Sequence, residues 1–213
     1  VSKREWEVHR AGQKAIGEPM RNPRHWHIII GLLKKKPHAR GAEVGVFKGI
    51  FANRLLKNLP DIQTYYCIDP WAHDEDYKKT LRPRSSENKV NLNQAYKAFL
   101  KNTNNWKNKR IILQMTSMEA LNRVVDESLD WVFVDGNHAY EYAREDIIGW
   151  SKKLKVGGLL AGHDYFDKMQ HHRKIPFGVA KAVRELLPKK HEFSGAGPNV
   201  WWAWKESGNW INV

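Results

Sequence analysis

Residues 129–165 read LDWVFVDGNHAYEYAREDIIGWSKKLKVGGLLAGHDY, and the fold turns on how this stretch is parsed. Leu129 to Val134 is a short apolar run of β-branched and aromatic residues, the pattern of a strand buried on both faces. It ends in the polar sequence Asp135-Gly136-Asn137-His138. Tyr140, Ala143, Ile147, Trp150 and Leu154 follow at spacings of three and four, one apolar stripe of an amphipathic helix. Gly157-Gly158 is expected to stop that helix, and Leu159 to Gly162 to form a second buried strand ending in His163-Asp164. A strand, a crossover helix and a strand make a parallel pair. Asp135, His138, His163 and Asp164 are therefore predicted to meet at the carboxyl edge of one sheet, where open α/β sheets bind ligands.

The rest of the chain repeats this rhythm. Upstream, RGAEVGVFKGIFANRLLKNL gives a strand over Ala42 to Val46 and a helix over Ile50 to Leu59. The turn between them carries Glu43-x-Gly45-x-x-x-Gly49. Glycine there lets a ligand approach the backbone, and the helix offers its free amides and positive dipole end. The strand Thr64 to Ile68 ends in Asp69-Pro70-Trp71. An acid at that tip, about 20 residues past the glycine turn, is placed to bind both hydroxyls of a ribose, with Trp71 on a purine face. Leu92, Ala95, Tyr96 and Phe99 define another helix, and Arg110 to Met115 another strand. Ser117 is expected to cap the next short helix, with an adenine edge held at Ser117-Met118.

Residues 72–87 and Asp167 to Lys174, with His171-His172, read as surface loops. Pro176 opens a further helix with Val179, Val183, Leu186 and Leu187 on its buried face. HEFSGAGPNVWWAWKE reads as two short strands joined by Gly195-Ala196-Gly197-Pro198, an antiparallel hairpin closing the sheet. The fold class is thus α/β, Rossmann-like: a mostly parallel seven-stranded sheet with helices on both faces and a C-terminal antiparallel hairpin. Residues 1–213 are expected to form one domain, with 1–38 a basic helical extension and 39–213 the cofactor-binding core.

Composition narrows the function. Lysine and arginine total 36 against 23 acids, a net charge of +13, which favours an anionic partner. No apolar run reaches the roughly 20 residues that span a bilayer, and the opening residues carry no signal-peptide pattern. Cys67 is the one cysteine, so an internal disulfide is excluded and the cytoplasm is the expected compartment.

This order of elements resembles the class I S-adenosylmethionine-dependent methyltransferases over residues 39–204. Glu43-x-Gly45-x-x-x-Gly49 is similar to that family's first motif, Asp69 to its ribose-binding acid, and Ser117-Met118 to its adenine site. Within the class, VDGNHAYEYAREDI and GGLLAGHDY resemble the small metal-dependent O-methyltransferases of the macrocin type, which act on macrolide sugars. The resemblance implies S-adenosylmethionine and a divalent metal, magnesium or another, as cofactors. It implies Asp135, His163 and Asp164 as metal ligands, and His138, with Asp135, as the catalytic pair. His163 stands where related enzymes often carry a carboxylate, and imidazole suits zinc, iron or nickel better than magnesium.

The implied partner is a small-molecule hydroxyl acceptor, such as a sugar or an anionic glycosylated metabolite, with no membrane. A cation lowers the pKa of a bound hydroxyl, and histidine takes its proton near neutral pH. His138, at a helix amino end beside a cation, is expected to titrate below its free value. An RNA ribose 2′-O-methyltransferase is the alternative that the charge supports, although nucleic acid is not the favoured partner. A non-catalytic nucleotide-binding module is the other alternative.

Overall fold

The computed structural model describes residues 24–72, 91–166, 177–187, 190–194, 199–208 and 210–213. The expectations for residues 1–23, for most of the 72–87 loop, for His171-His172, for Pro176 and for the Gly195–Pro198 turn fall outside these.

The first described element is helix α1 (His25–Leu33), which buries Ile28, Ile29, Ile30 and Leu33. Each such side chain contributes about 1.5–3 kcal/mol of transfer free energy, so the helix is fastened by its apolar face. Strand β1 (Arg40–Val44), helix α2 (Ile50–Asn58) and strand β2 (Thr64–Ile68) follow. Next come helix α3 (Leu92–Asn102), strand β3 (Arg110–Leu113) and the short helix α4 (Ser117–Ala120). Strand β4 (Leu129–Val134), helix α5 (Tyr140–Lys153), strand β5 (Leu154–Gly162) and helix α6 (Val179–Leu186) complete the alternating part. Strands β6 (Glu192–Phe193) and β7 (Trp201–Trp204) close it.

The seven strands lie in the order β3-β2-β1-β4-β5-β7-β6. The first five are parallel, and β7 runs antiparallel to both β5 and β6. Side chains alternate across the sheet. Trp131 and Phe133 join the layer formed by α1, α2 and α3, whereas Val132 and Val134 join the layer formed by α5 and α6. No helix among the described residues is long and apolar enough to cross a membrane.

Register positions the site. Val44 pairs with Ile68 on one side and with Val134 on the other, and Val134 pairs with Gly162. The next residue on each strand is therefore Asp69, Gly45, Asp135 and His163, side by side along one edge. The chain leaves β1 for β2 in one direction and returns to β4 in the other. This row thus sits at the switch point of the sheet, where a crevice opens.

Three expectations need correction. β1 ends at Val44 rather than Val46, because Gly45 turns the backbone into the left-handed region at φ 89°. Gly157-Gly158 does not end a helix. α5 stops at Lys153, Leu154 is already extended (φ −77°, ψ 140°), and both glycines lie inside β5. The pairing slips between Leu129–Leu154 and Trp131–Leu159, so the glycines sit in a bulge, with Gly157 at φ 79°. The cap of α4 is Thr116 rather than Ser117. Its hydroxyl accepts from the Glu119 amide while the Glu119 carboxylate accepts from the Thr116 amide, a capping box.

Candidate active site

The glycine turn and the tip of β2 are stitched together by one carboxylate. Asp69 Oδ2 accepts from the Phe47 amide at 2.8 Å and Oδ1 from the Trp71 amide at 2.7 Å. The Trp71 indole donates to the Phe47 carbonyl at 2.7 Å. Both oxygens of Asp69 keep a second lone pair for further donors. Burial raises the carboxyl above its usual range, against the pull of the two amides. Phe47 and Trp71 hold positive φ values of 50° and 44°, a strain that persists only where surrounding contacts enforce it.

Two expected cofactor contacts are placed differently. Trp71 is 3% exposed, and its ring packs on Phe99 and Tyr96. It braces the turn from within instead of offering an open face to a purine. Glu43 is 2% exposed and accepts a 2.7 Å hydrogen bond from the Tyr65 hydroxyl. Burial holds its carboxyl well above the usual range, so it supports the turn from the core side.

Beyond β3, Ser117 donates to the Asp146 carboxylate and accepts from the Trp150 indole at 2.8 Å. Met118 beside it is open to solvent. Asp146 is a member of this edge that the sequence reading missed. It falls three residues after Ala143 and one before Ile147, inside the apolar stripe of α5, and an acid in a buried stripe was the available signal. Burial pushes its pKa up to about 7, although the Ser117 bond opposes this.

The four ionisable residues at the ends of β4 and β5 do converge. His138 Nε2 lies 2.9 Å from Asp164 Oδ2 and 3.7 Å from Asp135 Oδ1. His163 Nδ1 lies 3.4 Å from Oδ1 of both aspartates. Asp164 adopts φ 52°, which turns its carboxylate back toward β4. The His138 ring stacks on Phe177 at 4.7 Å, and its carbonyl accepts from the Gly178 amide at 2.9 Å. Sequence reading also missed His25. The first residue of α1 stacks on Phe51 and Phe133 and reaches His163, with ring centroids 4.7 Å apart.

In the protein without a cation, the two carboxylates set the electrostatics of this centre. Burial opposes the charge on His138, but the carboxylates of Asp135 and Asp164 outweigh it and push the pKa up to about 9. The helix end does not hold it below its free value. The same balance takes His163 up to about 10. Asp135 and Asp164 are lowered by the two imidazoles against the opposing effect of burial. His25 goes the other way, down to about 4, because burial and the neighbouring His163 both disfavour its charge.

These residues fit a cation. Asp135, His138 and Asp164 each offer a ligand atom, and those atoms lie within 4.8 Å of one another. His163, expected as a ligand, is not in this group, although its Nδ1 lies 3.4 Å from both aspartates. His138 Nε2 is buried and makes no aligned hydrogen bond; its 2.9 Å approach to Asp164 is a charge contact off the bonding line.

With this geometry in view, comparison with known proteins is informative. Residues 42–165, more than half of the chain, match a family model described as "Methyltransferase domain". The chain belongs to this methyltransferase family. It is similar to the uncharacterized protein R132 of Acanthamoeba polyphaga mimivirus, at 26% identity over 190 residues, covering 82% of this chain and 76% of that protein. A Staphylococcus aureus protein provisionally named caffeoyl-CoA O-methyltransferase shares the fold at a TM-score of 0.62 and 16% identity, covering 93% of this chain and 91% of its own. The N-methyltransferase NodS of Bradyrhizobium japonicum, in complex with S-adenosyl-L-homocysteine, aligns at a TM-score of 0.54 and 15% identity, covering 97% and 87%.

Proposed function

We propose that this methyltransferase is an O-methyltransferase of the macrocin type, acting in the cytoplasm on a hydroxyl of a sugar or glycosylated small molecule. One observation carries the reading. Two aspartates that end adjacent parallel strands, Asp135 and Asp164, converge with two imidazoles beside the glycine turn. The net charge of +13 fits an anionic acceptor.

When bound, S-adenosylmethionine would supply an electrophilic methyl group, and a divalent ion held by Asp135, His163 and Asp164 would lower the pKa of the acceptor hydroxyl. The protein's own groups supply the rest. The turn from Gly45 to Gly49 and the Asp69 carboxylate hold the donor, with Ser117 and Met118 at its base. Asp135 and Asp164 orient the acceptor oxygen through fixed strand ends. His138 is the proton acceptor. Its elevated pKa arises from the two aspartates, so a cation that neutralises them lowers it into the working range of a base.

The test is to incubate the protein with labelled S-adenosylmethionine and a panel of sugar hydroxyls, amines and RNA, with and without chelator, reading products by mass spectrometry. Chelator-sensitive methylation of a hydroxyl supports the proposal. Metal-independent transfer to ribose 2′-hydroxyls of RNA, the reading that the positive charge favours second, would replace it.

A further inference from the structure

His25 comes from the far end of the chain, yet it stands beside the aspartate–histidine centre. Its position is fixed, because α1 is fastened by Ile28, Ile29, Ile30 and Leu33. Its ring lies nearly parallel to Phe51 and Phe133, at interplanar angles of 19° and 13°, and meets His163 at 51°. Its ring nitrogens make no hydrogen bond to any described residue.

We propose that His25 is a further ligand of the divalent ion, and that the imidazoles of His25 and His163 make the centre prefer a first-row transition metal to magnesium. The proposal rests on the metal reading of the site given above, and it adds both a residue and a metal class.

Distances support it. Donor atoms held about 2.1 Å from one ion stand about 3.0–3.4 Å apart for bond angles of 90–110°. The two 3.4 Å contacts of His163 with Asp135 and Asp164 match those edges. A ligating imidazole has its centroid about 3.2 Å from the ion, so two such rings stand about 4.5–5.2 Å apart. His25 and His163 are 4.7 Å apart. Imidazole donors suit zinc, cobalt, nickel and iron, whereas magnesium selects oxygen donors and retains water. A ligand from α1 would also tie that helix to the centre.

Full-length protein is stripped with chelator and titrated with Zn²⁺, Co²⁺ and Mg²⁺ by calorimetry, while cobalt absorption and hydrogen exchange over residues 25–33 are followed. Wild type is expected to bind zinc and cobalt at least 100-fold more tightly than magnesium, and metal should slow exchange in α1. His25→Ala and His25→Gln should weaken cobalt binding tenfold or more, alter the visible bands and abolish the metal-dependent protection of α1. Their affinity for S-adenosylhomocysteine should be unchanged. Unaltered cobalt affinity and spectrum in folded variants would remove His25 from the centre but leave the metal reading standing. Magnesium binding as tight as zinc would overturn the metal class. Wild type that binds S-adenosylhomocysteine but no divalent ion would overturn both readings. If the alanine variant fails to fold, the glutamine variant and wild-type exchange decide.

Discussion

Gly45 and Asp135 touch backbone to backbone. A Cβ placed on Gly45 would stand 2.1 Å from the Asp135 carbonyl oxygen, so the turn after β1 and the acid after β4 share space that only glycine leaves free. The two halves of the proposed site, one for the methyl donor and one for the ion, meet at this contact. Gly45 also holds φ 89°, which penalises any side chain by about 1–3 kcal/mol. Gly45→Ala should therefore damage both halves together. Calorimetry should show weaker binding of S-adenosylhomocysteine and of the divalent ion in one variant. Loss of only one would show that the contact does not couple them.

Asp69 separates folding of the turn from binding. Its two oxygens hold the Phe47 and Trp71 amides, and the proposed ribose contact uses the remaining lone pairs. Asp69→Ala should lower cofactor affinity tenfold or more, about 1.4 kcal/mol. Equal affinity in a folded variant would place the ribose elsewhere.

Asp146 makes a prediction about pH. Its carboxyl titrates near 7 in the fold and near 3.9 when unfolded. The native state therefore holds the extra proton between these values. Stability from this group is full below about pH 4 and is lost as pH rises through about 7, by at most about 4 kcal/mol. Asp146→Asn keeps an acceptor for Ser117 and cannot ionise. Denaturant unfolding at pH 5 and pH 8 should show a smaller fall in stability for Asp146→Asn than for wild type. Equal falls would mean that Asp146 is ionised throughout.

His138 carries the opposite charge logic. Without metal its pKa is raised to about 9, so its contribution to stability is full below about 6.5 and is lost as pH rises through 9. Metal should displace that proton. An NMR titration of the ring is expected to show a transition near 9 in chelator and a lower one with metal. His138→Ala should reduce kcat by roughly 10²–10⁴, the range for loss of a general base, with cofactor affinity kept, and His138→Gln should not restore it. Wild-type kcat in His138→Ala would make it a loop residue.

Much of this was legible in the chain itself. β2 and β4 have the expected limits because their ends coincide with polar residues, Asp69 and Asp135. The convergence of Asp135, His138, His163 and Asp164 followed from one strand–helix–strand reading. β5 was misread because Gly157-Gly158 gives the same signal in a bulge as at a helix end, and only pairing with β4 distinguishes them. Trp71 and Glu43 were expected to face a ligand, whereas Phe99, Tyr96 and Tyr65 claim them. Those partners are distant in sequence and leave no periodic trace. His25 was hidden for the same reason, since α1 reads locally as an ordinary apolar helix. The expectation of a lowered His138 pKa counted a cation beside the ring, and in the protein without one the two aspartates raise it.

Asp164 holds its carboxylate on a left-handed backbone, φ 52°. Aspartate and asparagine tolerate that conformation better than other residues with a side chain, and glycine adopts it freely. Charge and backbone can thus be varied separately at this position. Asparagine removes the charge and keeps the bend, glycine removes the side chain and relaxes the bend, and valine forbids the bend. A directed search for new metal or acceptor preference can explore the first two and will find that β-branched replacements disassemble the edge.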